Sequence, residues 1–196
     1  MTYTPKQDIF KRIGAHGHAI QERDMDDYYS TNPEAIDHLL TVDSPYHTVW
    51  ECACGGGNLS KRLEKYGFDV ISTDKFDRGY GGIQDFLLAD TTPVKECDIL
   101  TNPPFYYTVD FIRKALEIIP DGHRVFMFLK LNYLEGQKRY DKVFRENPPE
   151  YVYVFIKRIY CGIRNDDDVD SKHSAIAYAW YVWRKGFKGD PKIKWI

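Results

Sequence analysis

The chain has 196 residues, of which 43% are hydrophobic and 15% aromatic, and its formal net charge is −2. This length suits one domain, and the apolar content is enough for a sizeable core, so global disorder is excluded. The balanced charge excludes a strongly basic protein that coats nucleic acid, and no run of about 18 apolar residues predicts a membrane helix.

The segment before residue 28 is polar and rich in charge. We expect residues 1–27 to be a loosely packed or poorly ordered lead-in to a single domain over residues 28–196. Residues 1–12 lack the apolar core of a secretion signal, so we expect a cytoplasmic protein. The four cysteines contain no C-x-x-C pair, which predicts free thiols and no metal site.

Apolar runs and helical spacing alternate along the rest of the chain. Asn32 and Pro33 are typical of a helix start, and an apolar stripe follows at Ala35, Ile36, Leu39 and Leu40. Further helices are predicted at residues 58–66, 107–119 and 136–146. Strands are predicted at residues 48–54, 69–74, 97–101, 123–131, 151–158 and 174–183. The alternation predicts an α/β fold whose mostly parallel sheet has helices on both faces, and the last two strands are expected to pair antiparallel at one edge.

A glycine-rich turn stands between a strand and a helix at residues 51–59, in the sequence E-C-A-C-G-G-G-N-L. Gly55 and Gly57 allow positive φ angles and a close approach of the backbone to a ligand. The helix that follows offers free N–H groups at its N-terminus. Ser60 stands where a dinucleotide-binding fingerprint has its third glycine, and Glu51 precedes the turn, so the pattern differs from that fingerprint.

Two more acidic positions follow the turn. Asp74 closes the next predicted strand, where a carboxylate can accept hydrogen bonds from both ribose hydroxyls. Asp85 and Phe86 form an acidic–apolar pair between Asp74 and the next motif. Asp74 is therefore a candidate ribose-binding residue at the carboxyl end of a strand.

The motif Asn102-Pro103-Pro104-Phe105 follows another predicted strand. Two consecutive prolines stiffen the backbone and remove N–H donors, so the Asn102 side-chain oxygen and the Pro103 carbonyl become rigid acceptors. Two such acceptors suit a planar exocyclic NH₂ group, whose nitrogen becomes nucleophilic as both hydrogens are held. Phe105 supplies a face on which the target ring stacks.

These segments resemble the class I S-adenosylmethionine-dependent amino-methyltransferases, and within them the adenine-N6 DNA methyltransferases, including small phage and prophage types. The residues that carry the resemblance are E-x-x-x-G-x-G-x-L at 51–59 and N-P-P-F at 102–105. The sequence Y-Y-S-T-N-P at 28–33 resembles the motif that covers the methionine end of the cofactor in that family. The likeness spans about residues 28–183.

The resemblance implies a Rossmann-like fold with a sheet of the seven-stranded type, or one strand short of it, and S-adenosylmethionine as cofactor. It implies that Asp74 holds the ribose and that Asp85 and Phe86 hold the adenine of the cofactor. The implied cofactor residues are Tyr29, Thr31, Glu51, Ala53, Gly55, Gly57, Asp74, Asp85, Phe86 and Asn102. The implied catalytic residues are Asn102, Pro103, Pro104 and Phe105, acting on adenine N6 in DNA after base flipping.

Many members of the family add a separate target-recognition domain, and no such domain is expected here. Recognition is therefore assigned to loops at residues 106–108, 132–140 and 159–173, the last of which contains an acidic run at 166–170. Basic side chains are candidates for phosphate contacts and aromatic side chains for base stacking. The candidate substrate residues are Lys130, Lys138, Arg139, Tyr106, Tyr107 and Tyr133.

Other acceptors and one other class of function stay open at this point. N-P-P-F also occurs in RNA methyltransferases that act on adenine N6 or guanine N2, and the related N-P-P-Y occurs in enzymes that methylate glutamine in release factors. A degenerate methyltransferase fold that serves as a binding subunit is a further alternative. DNA is the expected partner, with RNA as the second choice.

Overall fold

The computed structural model describes residues 29–159, 161–163 and 176–196. The predicted lead-in at residues 1–27 and the acidic run at residues 166–170 lie outside these residues. Within the described chain, no helix is both long enough and apolar enough to cross a membrane. The four cysteines are free thiols, as predicted, and three of them are buried.

Among the described residues, one sheet of eight strands forms the centre, and two further strands form a separate antiparallel ribbon. The ribbon pairs β1 (Tyr29–Thr31) with β8 (Cys161–Ile163). In spatial order, the sheet contains β10 (Lys192–Trp195), β7 (Tyr151–Val154), β9 (Tyr178–Arg184), β6 (Arg124–Lys130), β5 (Asp98–Thr101), β2 (Thr48–Glu51), β3 (Asp69–Asp74) and β4 (Gly82–Ile83).

Neighbouring strands of the sheet run parallel except where β9 is involved, since β9 pairs antiparallel with both β6 and β7. This arrangement confirms the predicted α/β fold with a mostly parallel sheet. The predicted antiparallel pairing of the last two strands is confirmed by β7 and β9, but they do not form the edge of the sheet, because β10 lies outside them and parallel to β7. Only four residues make up β10, too few for its alternation of lysine and apolar residues to stand out in the sequence.

Short helical segments connect the strands. They are α1 (Glu34–Leu40), α2 (Asn58–Lys65), α3 (Thr108–Ile118) and α4 (Gln137–Arg139), with 3₁₀ turns at Phe86–Leu88, Phe105–Tyr107 and Leu131–Leu134. The single helix predicted at residues 136–146 is instead α4 followed by a π-helical turn at Tyr140–Phe144. In this wider turn the Arg145 N–H donates to the carbonyl of Tyr140, five residues earlier.

The core lies on both faces of the sheet, because alternate residues of the central strands point in opposite directions. Ile99 of β5 and Met127 of β6 pack in one buried cluster with helix α3, while Leu100 and Phe128 pack in the other with α1 and α2.

The seven strands other than β9 all run in the same direction. Their carboxyl ends therefore lie at the same edge of the sheet, where α/β folds bind ligands.

Candidate functional site

A cavity opens at the carboxyl ends of β2, β3 and β5 and is bounded by β1 and the N-terminus of α2. It brings together most of the residues that the sequence singled out. The predicted residues that line it are Thr31, Glu51, Ala53, Asp74, Asp85, Phe86, Asn102, Pro103, Pro104, Phe105, Tyr106 and Tyr107. The glycine-rich turn and the N-P-P-F motif converge here because each follows a parallel strand, although they are about fifty residues apart in sequence.

The glycine-rich turn has the positive φ angles that its sequence predicts, 54° at Gly55 and 79° at Gly57. The need for a glycine at position 57 nevertheless comes from a contact within the protein. A Cβ atom at residue 57 would lie 2.2 Å from the ring of Tyr80, so the missing side chain makes room for that ring. The Tyr80 hydroxyl donates to Glu64 of α2 at 3.1 Å, which ties the turn after β3 to this helix.

Asp74 both lines the cavity and holds the glycine-rich turn. One carboxylate oxygen accepts a hydrogen bond from the Gly55 N–H and the other from the Phe76 N–H, both at 2.9 Å. Arg78 adds an ion pair at 3.6 Å. Each carboxylate oxygen has capacity for a second hydrogen bond, so Asp74 can still accept from ligand hydroxyls.

Glu51 ends β2 and is 2% exposed. Its carboxyl group accepts a hydrogen bond from the Ser60 hydroxyl, which in turn accepts from the Ser72 hydroxyl at 2.7 Å. Burial raises the pKa of Glu51 to about 8, against the opposing effect of the Ser60 hydrogen bond. A cationic group bound beside Glu51 would favour the carboxylate form.

The Asp85–Phe86 pair forms one wall of the cavity. Asp85 caps the 3₁₀ turn by accepting from the Leu87 N–H at 3.0 Å, and its other oxygen lies 3.4 Å from the Lys75 ammonium. The Phe86 ring is buried against Trp50 and Phe111, with ring centroids 5.2 and 4.8 Å away. The Phe86 part of this wall is apolar, which suits a flat ring.

The Asn102 amide is held by the residue at the end of β1. Its nitrogen Nδ2 donates to the Thr31 hydroxyl oxygen at 2.8 Å. Its oxygen Oδ1 is buried and accepts no hydrogen bond from any residue that the structure describes. The Pro104 carbonyl accepts from the Tyr107 N–H at 3.1 Å and starts the 3₁₀ turn that carries Phe105.

Aromatic side chains lie beside this amide. The Lys130 ammonium is 4.1 Å from the centroid of the Phe105 ring, and Tyr178 stacks on Phe105 at 6.4 Å. Tyr106 is 53% exposed and meets Tyr107 edge to face. The predicted candidates Phe105, Tyr106 and Lys130 therefore lie together.

The other predicted substrate residues lie apart from the cavity lining. Tyr133 is 8% exposed and packs in the core, where burial raises its pKa to about 12, so its ring does not line the cavity. Arg139 lies over the Tyr133 ring and donates to the carbonyls of Asn132 and Glu135, which makes it a structural residue of that loop. Lys138 is exposed.

Two predicted cofactor residues, Gly55 and Gly57, shape the turn behind the cavity but do not line it. A third, Tyr29, belongs to β1, and its side chain is outside what the structure describes. Sequence reasoning missed Lys75 and Arg78, which line the cavity beside Asp74. Their position just after the strand that Asp74 ends was the available signal.

In the described chain, no group of three or more His, Cys, Asp or Glu side chains is arranged to hold a metal ion.

No family model matches the chain, and no curated protein matches its sequence. Solved structures do match it. The methyltransferase subunit of a type I restriction-modification system from Streptococcus thermophilus has a TM-score of 0.59 at 14% identity, and the match covers 87% of this chain and 47% of that one. The M protein of the type I restriction enzyme EcoKI has a TM-score of 0.56 at 14% identity, covering 82% and 44%.

A third match covers nearly the whole of both proteins. It is a TehB-like S-adenosylmethionine-dependent methyltransferase from Corynebacterium glutamicum, with a TM-score of 0.50, 13% identity, and 92% and 96% of the two chains covered. The chain spans less than half the length of either restriction-modification protein. At these identities the likeness is one of fold, and the chain has the Rossmann-like fold of the class I S-adenosylmethionine-dependent methyltransferases.

Proposed function

We propose that this protein transfers a methyl group from S-adenosylmethionine to an exocyclic amino group, and that the acceptor is adenine N6 in DNA. The observation that carries the proposal is the Asn102 side-chain oxygen, a buried acceptor beside an aromatic ring that receives no hydrogen bond from the described residues. A buried acceptor of this kind is costly unless a ligand satisfies it.

The cavity residues fit the cofactor in charge and in shape. S-adenosylmethionine supplies an electrophilic methyl group when it is bound. Glu51 is a buried acid that would face a cationic group, and Asp74 retains acceptor capacity for ribose hydroxyls. Phe86 and Leu87 give an apolar wall for an adenine ring, with Asp85 at its edge.

Asn102 and Pro103 would activate the group that receives the methyl. An exocyclic amino group is planar because its lone pair is delocalised into the ring. In our proposal the Asn102 oxygen and the Pro103 carbonyl each accept a hydrogen bond from this group, and the nitrogen becomes tetrahedral and nucleophilic. The methylated nitrogen then releases one proton to solvent. Preorganised acceptors aimed at a group whose charge changes in the transition state lower the barrier.

The acceptor must leave its base stack to reach the cavity, at a cost of a few kcal/mol. Stacking on Phe105 would offset about 1–3 kcal/mol of this cost. The Lys130 ammonium beside the Phe105 ring supplies a positive charge where a phosphate or an electron-rich base would enter. These two neighbours favour a nucleobase over the amide of a glutamine side chain.

RNA is the second candidate acceptor, because Phe105 and Lys130 would serve a flipped base in either nucleic acid. The two restriction-modification proteins of similar fold favour DNA, although the chain spans less than half of their length. The deciding experiment offers radiolabelled S-adenosylmethionine to the protein with DNA, RNA and protein pools, and Asn102→Ala as the negative control. We expect label in N6-methyladenine of DNA. Label in RNA or in glutamine would reassign the acceptor, and cofactor binding without transfer to any pool would indicate a binding subunit.

A further inference from the structure

The Asn102 amide nitrogen is hydrogen-bonded to a distant part of the chain. An asparagine amide is nearly symmetric in shape, but one end donates and the other accepts. In this structure Nδ2 donates to the hydroxyl oxygen of buried Thr31 at 2.8 Å, so Oδ1 is the atom directed away from Thr31. Thr31 and Asn102 are 71 residues apart in sequence.

Thr31 is itself fixed from two sides. It ends strand β1, where its register partner in β8 is Cys161. Asn58, the first residue of α2 after the glycine-rich turn, donates from Nδ2 to the Thr31 carbonyl at 3.3 Å and to the Ser30 hydroxyl at 2.5 Å. Thr31 is therefore linked both to the start of α2 and to the catalytic asparagine.

We propose that Thr31 is a positioning residue, whose hydroxyl oxygen holds the Asn102 amide with its oxygen toward the acceptor amino group. The proposal rests on the proposed function. A rotation of the amide by 180° would present an NH₂ donor to the NH₂ group of the acceptor, and two donors repel. The family resemblance implied that Thr31 contacts the cofactor, and this contact gives it a different role.

Thr31→Val tests the role, because valine has the same shape as threonine but no hydroxyl group. It removes the hydrogen-bond partner of the Asn102 Nδ2, so the amide loses the contact that holds it in place. We expect kcat to fall about tenfold or more, with the KM for DNA and the Kd for cofactor unchanged within about twofold. Thr31→Ser should restore most of kcat. Thr41→Val removes a hydroxyl at the end of α1 and serves as the matched control.

A second measurement does not need activity. In the cofactor-free protein, the side-chain NH₂ resonances of Asn102, assigned by their loss in Asn102→Asp, should show slow hydrogen exchange in the parent and in Thr31→Ser. They should exchange faster in Thr31→Val while backbone spectra stay the same. Equal exchange in the parent and Thr31→Val, or parent-like kcat in Thr31→Val, would overturn the role of Thr31.

The two proposals fail in different ways. A parent protein that methylates no pool refutes the proposed function, and the exchange measurement still decides whether Thr31 holds the amide. An active parent with an equally active Thr31→Val variant refutes the positioning role and leaves the methyl transfer standing.

Discussion

Glu51 is a buried acid whose ordinary pKa of 4.5 is raised to about 8 by its burial. In the unfolded chain this carboxyl group loses its proton near its ordinary pKa. Between these two values the folded protein holds a proton that the unfolded chain has lost, so the contribution of Glu51 to stability falls as the pH rises through this window. Glu51 therefore lowers the stability of the cofactor-free protein at neutral pH, and a bound cationic ligand would offset this loss.

Glu51→Gln should therefore stabilise the cofactor-free protein at pH 8 and change little at pH 4.5, because glutamine stays neutral and can still accept from the Ser60 hydroxyl. Thermal unfolding at the two pH values measures this. The same change should weaken S-adenosylmethionine binding in calorimetry, since the negative charge is lost. The exposed Glu135→Gln is the control and should do neither. A lower melting temperature for Glu51→Gln at pH 8 would contradict the raised pKa.

Asn102 and Phe105 should separate chemistry from capture of the acceptor. Asn102→Ala removes an acceptor that acts most strongly in the transition state, so kcat should fall by roughly 10²-fold or more. Phe105→Ala removes stacking and should raise the KM for DNA as well as lower kcat, while Phe105→Tyr should retain part of the activity. Steady-state methylation with matched cofactor titrations distinguishes the two, and parent-like turnover by Asn102→Ala would end the amino-methyltransfer proposal.

Among the elements, the glycine-rich turn depends on the Tyr80 ring that fills the space over Gly57. Gly57→Ala combines an unfavourable positive φ with a clash, so Tyr80 must move and the turn with it. We expect weaker cofactor binding and lower stability. Gly67 is the matched control, because its φ is also positive, at 86°, but an added Cβ meets nothing within 4 Å.

Gly67→Ala should lose only about 1 kcal/mol of stability, the usual cost of a left-handed conformation, and should bind cofactor like the parent. Calorimetry and denaturant unfolding of both variants give the comparison. Equal effects of Gly57→Ala and Gly67→Ala would mean that the contact with Tyr80 does not matter for the site.

The sequence predicted the elements that carry the site because their signals are local. The glycine-rich turn, Asp74 and the N-P-P-F box each follow an apolar run, and parallel strands bring such positions to one edge of a sheet. The Thr31–Asn102 hydrogen bond was not predictable, since it joins residues 71 apart that share no periodicity. The burial of Tyr133 was not predictable either, because it follows a strand, as site residues do, while the 3₁₀ turn directs its ring into the core.

At the scale of the whole molecule, charge is divided unevenly along the chain. Residues 1–120 carry 12 Lys and Arg against 19 Asp and Glu, whereas residues 121–196 carry 15 against 10. A polyanion is therefore expected to dock through the second half. Lys138 is exposed there, while its neighbour Arg139 is engaged by the carbonyls of its own loop.

DNA binding should weaken with salt, and each phosphate contact adds about 0.9 to the slope of log K against log salt. Lys138→Ala should lower that slope by about 0.9, the value for one phosphate contact, without changing the melting temperature. Arg139→Ala should instead lower the melting temperature, because it releases the loop around Tyr133. Fluorescence anisotropy over a salt series measures the slope, and a slope near zero for the parent would argue against a nucleic-acid acceptor.

The internal position of β9 also bears on how the protein folds as it is synthesised. In the sheet, β6 meets β7 only through β9, and β7 has β9 and β10 as its two neighbours. Until residue 184 has left the ribosome, β6 has an open edge and β7 has no partner. Unpaired strand edges promote aggregation, so we expect a nascent chain that is paused before β9 to be prone to aggregation and to bind chaperones.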